Sequence, residues 1–248
     1  TISQIYDKEK AKKMVSYVVT TVAMGNIIGI LLNTWIIKKL GVNFAFLIPG
    51  GITLILSLPV MLLIKDVNPV TLPQKEHISI FSLLKNREIL KILLPVMFHG
   101  AIKDNISLWM TVYFTDFFKI DLASTAGFVL FIPLVGFVAR CIYPALLSLC
   151  RQKEHIVSLT SFILCTAITI PLCFNISSAV IAVICLSVIY ALISIINTSV
   201  LSIYPMRFTE TGNISSVSGL MDFATYGGAG ISSWIYGMII KEFGYSPM

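Results

Sequence analysis

The sequence predicts an all-α membrane protein. Hydrophobic residues make up 56% of the 248 residues and charged residues only 12%, and the mean hydropathy is +0.89. A soluble domain carries about 25% charged residues, so this chain could not keep its surface in water. The apolar residues form continuous runs of the length that crosses a bilayer as a helix. Continuous runs exclude a barrel of short alternating strands.

Seven apolar stretches are long enough to span a bilayer, and the connections between them are short except for one. Residues 65–88 are more polar than their surroundings, and we predict that they form a linker between the second and third spans. This linker divides the chain into two helices before it and five after it. The predicted spans are residues 14–37, 44–64, 89–118, 122–150, 156–174, 179–202 and 214–240.

Basic residues outside the spans favour one side of the membrane. When the chain alternates across the bilayer, 12 Lys and Arg residues share the side of the N-terminal tail and 4 lie opposite. Cytoplasmic loops carry the excess of Lys and Arg, so the N-terminal tail and the linker are predicted to be cytoplasmic, in a plasma or inner membrane. The net charge of +6 then reflects topology in a lipid bilayer, and we expect no nucleic-acid partner. The first side holds Lys8, Lys10, Lys12, Lys13, Lys65, Lys75, Lys85, Arg87, Lys91, Arg151, Lys153 and Arg207; the other holds Lys38, Lys39, Lys119 and Lys241.

Lys103 and Asp104 lie near the middle of the third predicted span. A charge at that depth costs about 2.5–3.5 kcal/mol on insertion scales and marks a candidate functional site. Lys103 is roughly 15 Å from either end of its stretch, too far for easy snorkelling. His99 and Ser107, four residues to either side, share its helix face. We predict a cationic face on a water-filled cavity; a structural pair with an acid on a neighbouring helix is the alternative.

An internal repeat relates the first predicted span to the last. The two spans are six helices apart, and a parallel six-helix repeat is the arrangement of the two halves of a major facilitator transporter. The chain therefore resembles the major facilitator superfamily. A shift of 203 residues aligns Gly25 with Gly228, Lys38 with Lys241, and Gly41 with Gly244.

The resemblance implies a domain organisation and a fold. Residues 1–64 would be the end of the N-terminal half (helices 5 and 6), and residues 89–248 the C-terminal half (helices 7–11), with the linker between them. Four helices are expected before this chain and one after it. The expected fold is thus a major facilitator-type bundle with seven of its twelve transmembrane helices.

The third span is also similar to the seventh helix of the organophosphate:phosphate antiporter-like branch. That branch carries Arg, Gly, Trp, Pro and Tyr at a spacing that Lys103, Asn105, Trp109, Thr111 and Tyr113 reproduce, with Asp104 at an often acidic position. Three residues depart from the pattern: Lys103 replaces Arg, Asn105 replaces Gly, and Thr111 replaces Pro. The resemblance implies that Lys103 binds an anionic group of the substrate, as a point charge without the bidentate fork of Arg.

The last span resembles the eleventh helix of the same family through Gly219, Asp222, Tyr226, Gly227, Gly228 and Gly230, and the first span resembles the fifth through Gly25, Asn26 and Gly29. We predict that Gly25, Gly29, Gly227, Gly228 and Gly230 form close helix contacts, which in a transporter are also its moving surfaces. Asp222 is predicted to bind a proton or to balance Lys103, and a capping role is its alternative.

Several aromatic and polar residues have two interpretations. His99, Trp109, Tyr113 and Tyr226 are predicted to line the substrate pathway, whereas helix packing or the interfacial aromatic belt is the alternative. Arg140 lies ten residues before Cys150, and we expect it to snorkel or to pair with a loop.

These observations predict a secondary transporter that moves a small polar, anionic solute, an organophosphate or an organic acid, by alternating access. The coupling ion would be a proton or a counter-anion. No motif for an enzyme, a cofactor or a metal site is visible. A sensor that binds the solute without transporting it remains the second interpretation, because the Lys for Arg replacement favours it.

Overall fold

The computed structural model describes residues 6, 8–63, 80–172, 174, 178–209, 211 and 213–244. Most of the predicted linker lies outside these residues, and only its C-terminal part, from residue 80, is described. The described residues form helices and no strand. The α-helices are α1 Lys8–Leu40, α2 Phe44–Leu63, α3 Ile80–Leu84, α4 Arg87–Val112, α5 Leu122–Leu149, α6 Glu154–Leu172, α7 Ala179–Asn197 and α8 Ile214–Phe243.

Two of these helices are followed directly by helical segments with wider or tighter turns. A π-helical segment, Tyr113–Phe117, extends α4. The π-helix Thr198–Ile203 and the 3-10 helix Tyr204–Phe208 extend α7. In the described residues, each predicted span therefore corresponds to one helical segment, and the all-α fold class is confirmed.

Within the described ranges, five helical segments are apolar and long enough to cross a membrane. These are Glu9–Leu40, Phe44–Leu62, Ser124–Leu149, Glu154–Leu172 and Ala179–Phe208. The other two predicted spans, α4 and α8, are helices of 26 and 30 residues. Polar residues such as Lys103 and Asp222 lower the mean hydropathy of α4 and α8. That these two helices cross the membrane therefore remains a prediction.

Side-chain caps define where two of the central helices begin. The Asn86 side chain accepts a hydrogen bond from the backbone N–H of Glu88 at the start of α4. The Asp121 carboxylate accepts one from the backbone N–H of Ser124 at 2.9 Å. Such caps satisfy amide groups that the first helical turn leaves without partners. They place the start of α4 just after α3, and the start of α5 directly after the loop that follows Phe117.

α7 is the central helix of the bundle, since it packs against α5, α6 and α4. Its buried residues take part in three apolar clusters. Ile193 and Ile196 join α4 and α8 around Val96 and Met221. Ile195 lies in the cluster that holds α1, α5 and α6 together, so α7 connects both sides of the core.

α4 and α8 form the most extensive helix pair, and glycines allow their backbones to approach. A Cβ atom on Gly100 would lie 2.7 Å from the carbonyl carbon of Thr225, and one on Gly228 would lie 2.8 Å from that of Met97. Real Cβ atoms do not come so close to backbone. Gly100 and Gly228 therefore set the distance between the two helices, as small residues do in membrane bundles.

α1 lies along α5 and is tied to α6 by buried charges. The Lys12 ammonium is 3.2 Å from Oε2 of Glu154, and the Arg207 Nε is 2.6 Å from Oε1 of the same carboxylate. Lys12 also donates a hydrogen bond to the carbonyl of Gln152 at 3.3 Å. We call Lys12, Glu154 and Arg207 the carboxylate cluster; it joins the first helix to the sixth and to the turn that follows α7.

Candidate functional site

Lys103 lies between α4 and α8 and is partly accessible. Its ammonium is 3.3 Å from Oδ1 of the adjacent Asp104, and its side chain is 18% exposed. The same ammonium lies 5.5 Å from the centre of the Tyr226 ring on α8, within the range of a cation–π contact. Its charge also acts on Asp222, one turn before Tyr226. The structure therefore brings together Lys103, Asp222 and Tyr226 from the predicted site.

The Lys103–Asp104 pair joins neighbouring residues of one helix. The alternative predicted from the sequence was a structural pair of Lys103 with an acid on a neighbouring helix. The long Lys103 side chain instead bends back to the adjacent carboxylate. This ion pair does not connect two helices, and it leaves the second oxygen of Asp104, a buried Oδ2, without a hydrogen-bond partner among the described residues.

His99 is fully buried between α4 and α7. It is 1% exposed, and its Nε2 lacks a hydrogen-bond partner in the described part of the chain. His99 lies one turn before Lys103 on the same helix.

Trp109 and Tyr113 lie apart from Lys103. The Trp109 ring packs near Gly237 on α8, where an added Cβ would be 3.7 Å from the ring. Tyr113 belongs to an aromatic cluster at the end of α4, with its ring centre 5.4 Å from that of Phe117 and 5.3 Å from that of Phe118. The structure does not bring these two residues to the Lys103 ammonium, and their role in substrate binding remains a prediction.

The five glycines of the predicted helix contacts have different surroundings. Gly228 lies at the close approach of α8 to α4. Gly25, Gly29, Gly227 and Gly230 have no heavy atom within 4 Å of the position that a Cβ would take. For these four, packing against another element stays a prediction. Gly100, which the sequence analysis did not single out, occupies the contact that faces Thr225.

Asn105 is a functional candidate that the sequence analysis treated only as a departure from a motif. Its Nδ2 donates hydrogen bonds to the carbonyl of Ala101 at 2.6 Å and to the hydroxyl of Ser232 on α8 at 2.7 Å. A glycine, the residue expected at this position, could make neither bond. Asn105 therefore helps to hold α4 against α8 within two residues of Lys103.

Arg140 is more deeply buried than the sequence predicted. It was expected to snorkel or to pair with a loop, but it is only 5% exposed. Gly136, one turn earlier, allows Tyr190 and Ser194 of α7 to approach, since an added Cβ would lie 2.7 Å from the Tyr190 ring. The glycine four residues before Arg140 was the sequence signal of this packing.

A cavity of about 270 Å³ lies among α1, α4, α5 and α7. Its polar lining residues come from three different helices and its remaining wall is apolar. A larger and more open cleft of about 950 Å³ lies between α1 and α5 near Lys13 and Gln152. The 270 Å³ cavity is lined by Asn26, Ile30, Ile106, Ser107, Met110, Val129, Ile132, Pro133 and Tyr190.

Residues 1–233 match the family model described as Major Facilitator Superfamily. The match includes every described helix up to the second half of α8. No curated protein and no solved structure matches the chain.

Proposed function

The chain belongs to the Major Facilitator Superfamily, a family of membrane transporters, and we propose that it moves a small anionic solute across the membrane by alternating access. The solute class is an organophosphate or an organic acid. In this proposal Lys103 holds the anionic group, and Tyr226 and Asp222 of α8 complete its surroundings.

The accessibility of the Lys103 ammonium is the observation that carries this proposal. Its partner, Asp104, is the adjacent residue of the same helix, at 3.3 Å, so the pair ties no helices together. An anion can therefore replace Asp104 without opening the bundle. Because 18% of the Lys103 side-chain surface is exposed, a solute can reach the ammonium. The low local dielectric strengthens the attraction between this ammonium and an anion.

The carboxylate cluster supports the alternating-access part of the proposal. By the proposed division of the chain, α1 belongs to the N-terminal half and α6 to the C-terminal half, so the Lys12–Glu154 ion pair joins the two halves. A rocking motion of the halves must separate these residues in one state. A solute drives the switch only if it binds the two states with different affinities.

The coupling ion belongs to the same proposal, as a proton or a counter-anion. Asp222 is an exposed carboxylate within the predicted span of α8, so it is the candidate to carry a proton. Uptake driven by an imposed pH gradient and lost in Asp222→Asn indicates proton coupling. Uptake that instead needs an anion inside the vesicle indicates exchange of the solute for a counter-anion.

The test of the function is uptake by the full-length protein in proteoliposomes, with phosphorylated and carboxylated solutes. We expect Lys103→Ala to abolish uptake, because the anion loses its charge partner, and Lys103→Arg to retain it. Lys91→Ala is the matched control, since Lys91 lies on the same helix with a 72% exposed side chain, and it should transport normally.

Uptake that is indifferent to Lys103 contradicts the anion-binding role of this residue. If a solute binds but is not taken up, the result contradicts the transporter and supports the second interpretation, a sensor that binds the solute without transporting it.

A further inference from the structure

The cleft of about 950 Å³ between α1 and α5 lies at the predicted cytoplasmic surface of the membrane. The predicted span of α1 begins at residue 14 and that of α5 ends at residue 150, so the two helix ends that form the cleft lie at the same membrane boundary. The cleft therefore opens at the level of the lipid headgroups. Its lining residues are Glu9, Lys10, Lys13, Tyr17, Pro144, Ala145, Leu147, Ser148 and Gln152.

Exposed cations surround the mouth of this cleft. Lys10 and Lys13 line it and are exposed, and Arg151 and Lys153 are exposed in the turn that follows α5. None of the four takes part in an ion pair between described side chains. Glu9 is the exposed carboxylate of the lining. Because four exposed cations face one exposed carboxylate, the potential at the mouth is positive and attracts an anion.

The polarity of the cleft changes along the membrane normal. Lys13 and Ser148 provide an ammonium and a hydroxyl group near the ends of the two helices. Tyr17 on α1 and Pro144 on α5 each lie four residues deeper, which is about 6 Å along a helix. A phospholipid has the same order of groups, from a charged phosphate to apolar chains.

Exposed apolar side chains continue the lining towards the middle of the predicted spans. On α1, Met24 and Ile28 follow Tyr17 at intervals of seven and four residues. On α5, Val138 and Leu134 precede the lining residues at corresponding intervals. Such intervals keep residues on one face of a helix. The helix faces that form the cleft therefore continue as apolar surface, and a lipid can enter the cleft sideways from the bilayer.

We propose that this cleft binds an anionic phospholipid. The phosphate lies between the ammonium groups of Lys10 and Lys13, and the hydroxyl of Ser148 donates to a phosphate oxygen. The acyl chains contact Tyr17 and Pro144. Basic pockets between membrane helices on the cytoplasmic side bind headgroups of this kind. Because the lining comes from both α1 and α5, the bound lipid holds the first helix against the later part of the chain.

The charge of the surface selects among phospholipids. Glu9 attracts the amine of a zwitterionic headgroup, whereas the four exposed cations repel it. The excess of cations favours a headgroup with a net negative charge, such as that of phosphatidylglycerol. A free phosphate ion lacks the chains that contact the apolar part of the cleft, so it should bind far more weakly.

The test is thermal unfolding of the full-length protein in neutral detergent micelles with added phosphatidylglycerol, phosphatidylcholine, phosphatidylethanolamine or inorganic phosphate. A ligand that binds the folded state raises the unfolding temperature. We expect phosphatidylglycerol to raise it and the other three additives to raise it much less at the same concentration. An equal effect of phosphatidylethanolamine, or of inorganic phosphate, would overturn the anionic lipid as the ligand.

The lysines are tested by a titration with phosphatidylglycerol. Lys10→Ala/Lys13→Ala should weaken the apparent affinity by about tenfold or more, because each basic residue near an anionic headgroup adds to the attraction. Lys38→Ala/Lys39→Ala is the matched control, since it removes two exposed cations from the other end of α1, and it should keep the wild-type affinity. Without lipid, both double variants should unfold at the wild-type temperature. Equal affinities of the two double variants contradict the site.

Two further variants separate a defined cleft from a general attraction of lipids to a basic surface. Ala145→Trp fills the cleft from α5, where Ala145 is exposed, and should weaken phosphatidylglycerol binding although the lysines are intact. Glu9→Gln removes the carboxylate of the lining and should strengthen binding, a gain that misfolding cannot produce. Unchanged binding in Ala145→Trp would mean that the lipid binds outside the cleft, and would overturn the proposal.

This inference goes beyond the proposed function, because lipid binding requires no transport. Failure of Lys103→Ala to change anion uptake contradicts the proposed function and leaves the lipid site in place. Failure of phosphatidylglycerol to raise the unfolding temperature overturns the lipid site and leaves the proposed transport in place.

Discussion

Lys103 and Arg140 are the two basic residues within the predicted spans, and they differ in their surroundings. Lys103 keeps contact with solvent and pairs with the acid beside it. Arg140 is buried, and its Nε and Nη1 atoms lack hydrogen-bond partners in the described structure. Lys103 can therefore exchange its partner easily, whereas the Arg140 side chain is enclosed by the protein. Lys103 is on α4 and Arg140 is on α5.

At the same scale, Asn105 supplies a testable hydrogen bond between α4 and α8. Asn105→Ala removes the 2.7 Å bond to Ser232 and should lower the free energy of unfolding by about 0.5–1.5 kcal/mol. Ser107→Ala is the control, because Ser107 bonds only weakly to its own helix at 3.3 Å. Equilibrium unfolding in denaturing micelles provides the measurement, and a double variant with Ser232→Ala isolates the coupling. Equal stability of Asn105→Ala and Ser107→Ala would contradict this role.

At the scale of helices, the close approach of α4 and α8 positions the Lys103 surroundings. Lys103 and Asn105 are on α4, Asp222, Tyr226 and Ser232 are on α8, and Gly100 and Gly228 control the spacing between the two. Any residue larger than glycine at these two positions would separate the helices and move Tyr226 away from the Lys103 ammonium. The pair is therefore a structural support for the candidate site as well as part of the core.

Gly228→Ala tests this support, with Gly227→Ala as its matched control on the next residue. The added methyl group of Gly228→Ala overlaps the Met97 backbone and should destabilise the protein by about 1–3 kcal/mol. Gly227 faces open space, so Gly227→Ala should be neutral or slightly stabilising, because alanine favours helix. Unfolding temperatures of the two variants provide the comparison. An unchanged unfolding temperature of Gly228→Ala would mean that the backbones of α4 and α8 are not in contact.

At the scale of the whole molecule, the carboxylate cluster holds the first helix against the later ones. Lys12 and Glu154 are nearly buried, with side-chain exposures of 10% and 6%, and they are separated by 142 residues in sequence. With Arg207, they connect α1, α6 and the turn after α7. This cluster and the apolar contacts around Tyr143 therefore determine how the two parts of the chain meet.

Glu154→Ala should destabilise the protein by about 3–5 kcal/mol, because Lys12 then remains buried without its partner. Arg207→Ala removes a partner whose side chain is 45% exposed. It should lower the free energy of unfolding by only about 0–1 kcal/mol. The double variant Lys12→Met/Glu154→Met should be more stable than Glu154→Ala, since it removes both buried charges. Unfolding monitored by circular dichroism ranks the three variants. A small effect of Glu154→Ala would show that Lys12 reaches water.

The helical class and the approximate positions of the long helices follow from the sequence. A run of about 20 apolar residues favours a membrane-spanning helix whatever its neighbours are, so local composition predicts the helices, and the superfamily is confirmed by the match over residues 1–233. Lys103 was found in the same way, because a charge within an apolar run is visible in the sequence. The substrate-binding roles and the two-half division remain predictions.

The helix neighbours and the rotation of each helix were decided only by the tertiary structure. Composition could not separate Gly228, which touches the Met97 backbone, from Gly227, which faces open space. It could not show that Arg140 is buried or that a cavity forms among α1, α4, α5 and α7. The physical reason is that local apolarity measures transfer from water into lipid, whereas burial, pairing and cavities depend on which residues of distant helices come into contact.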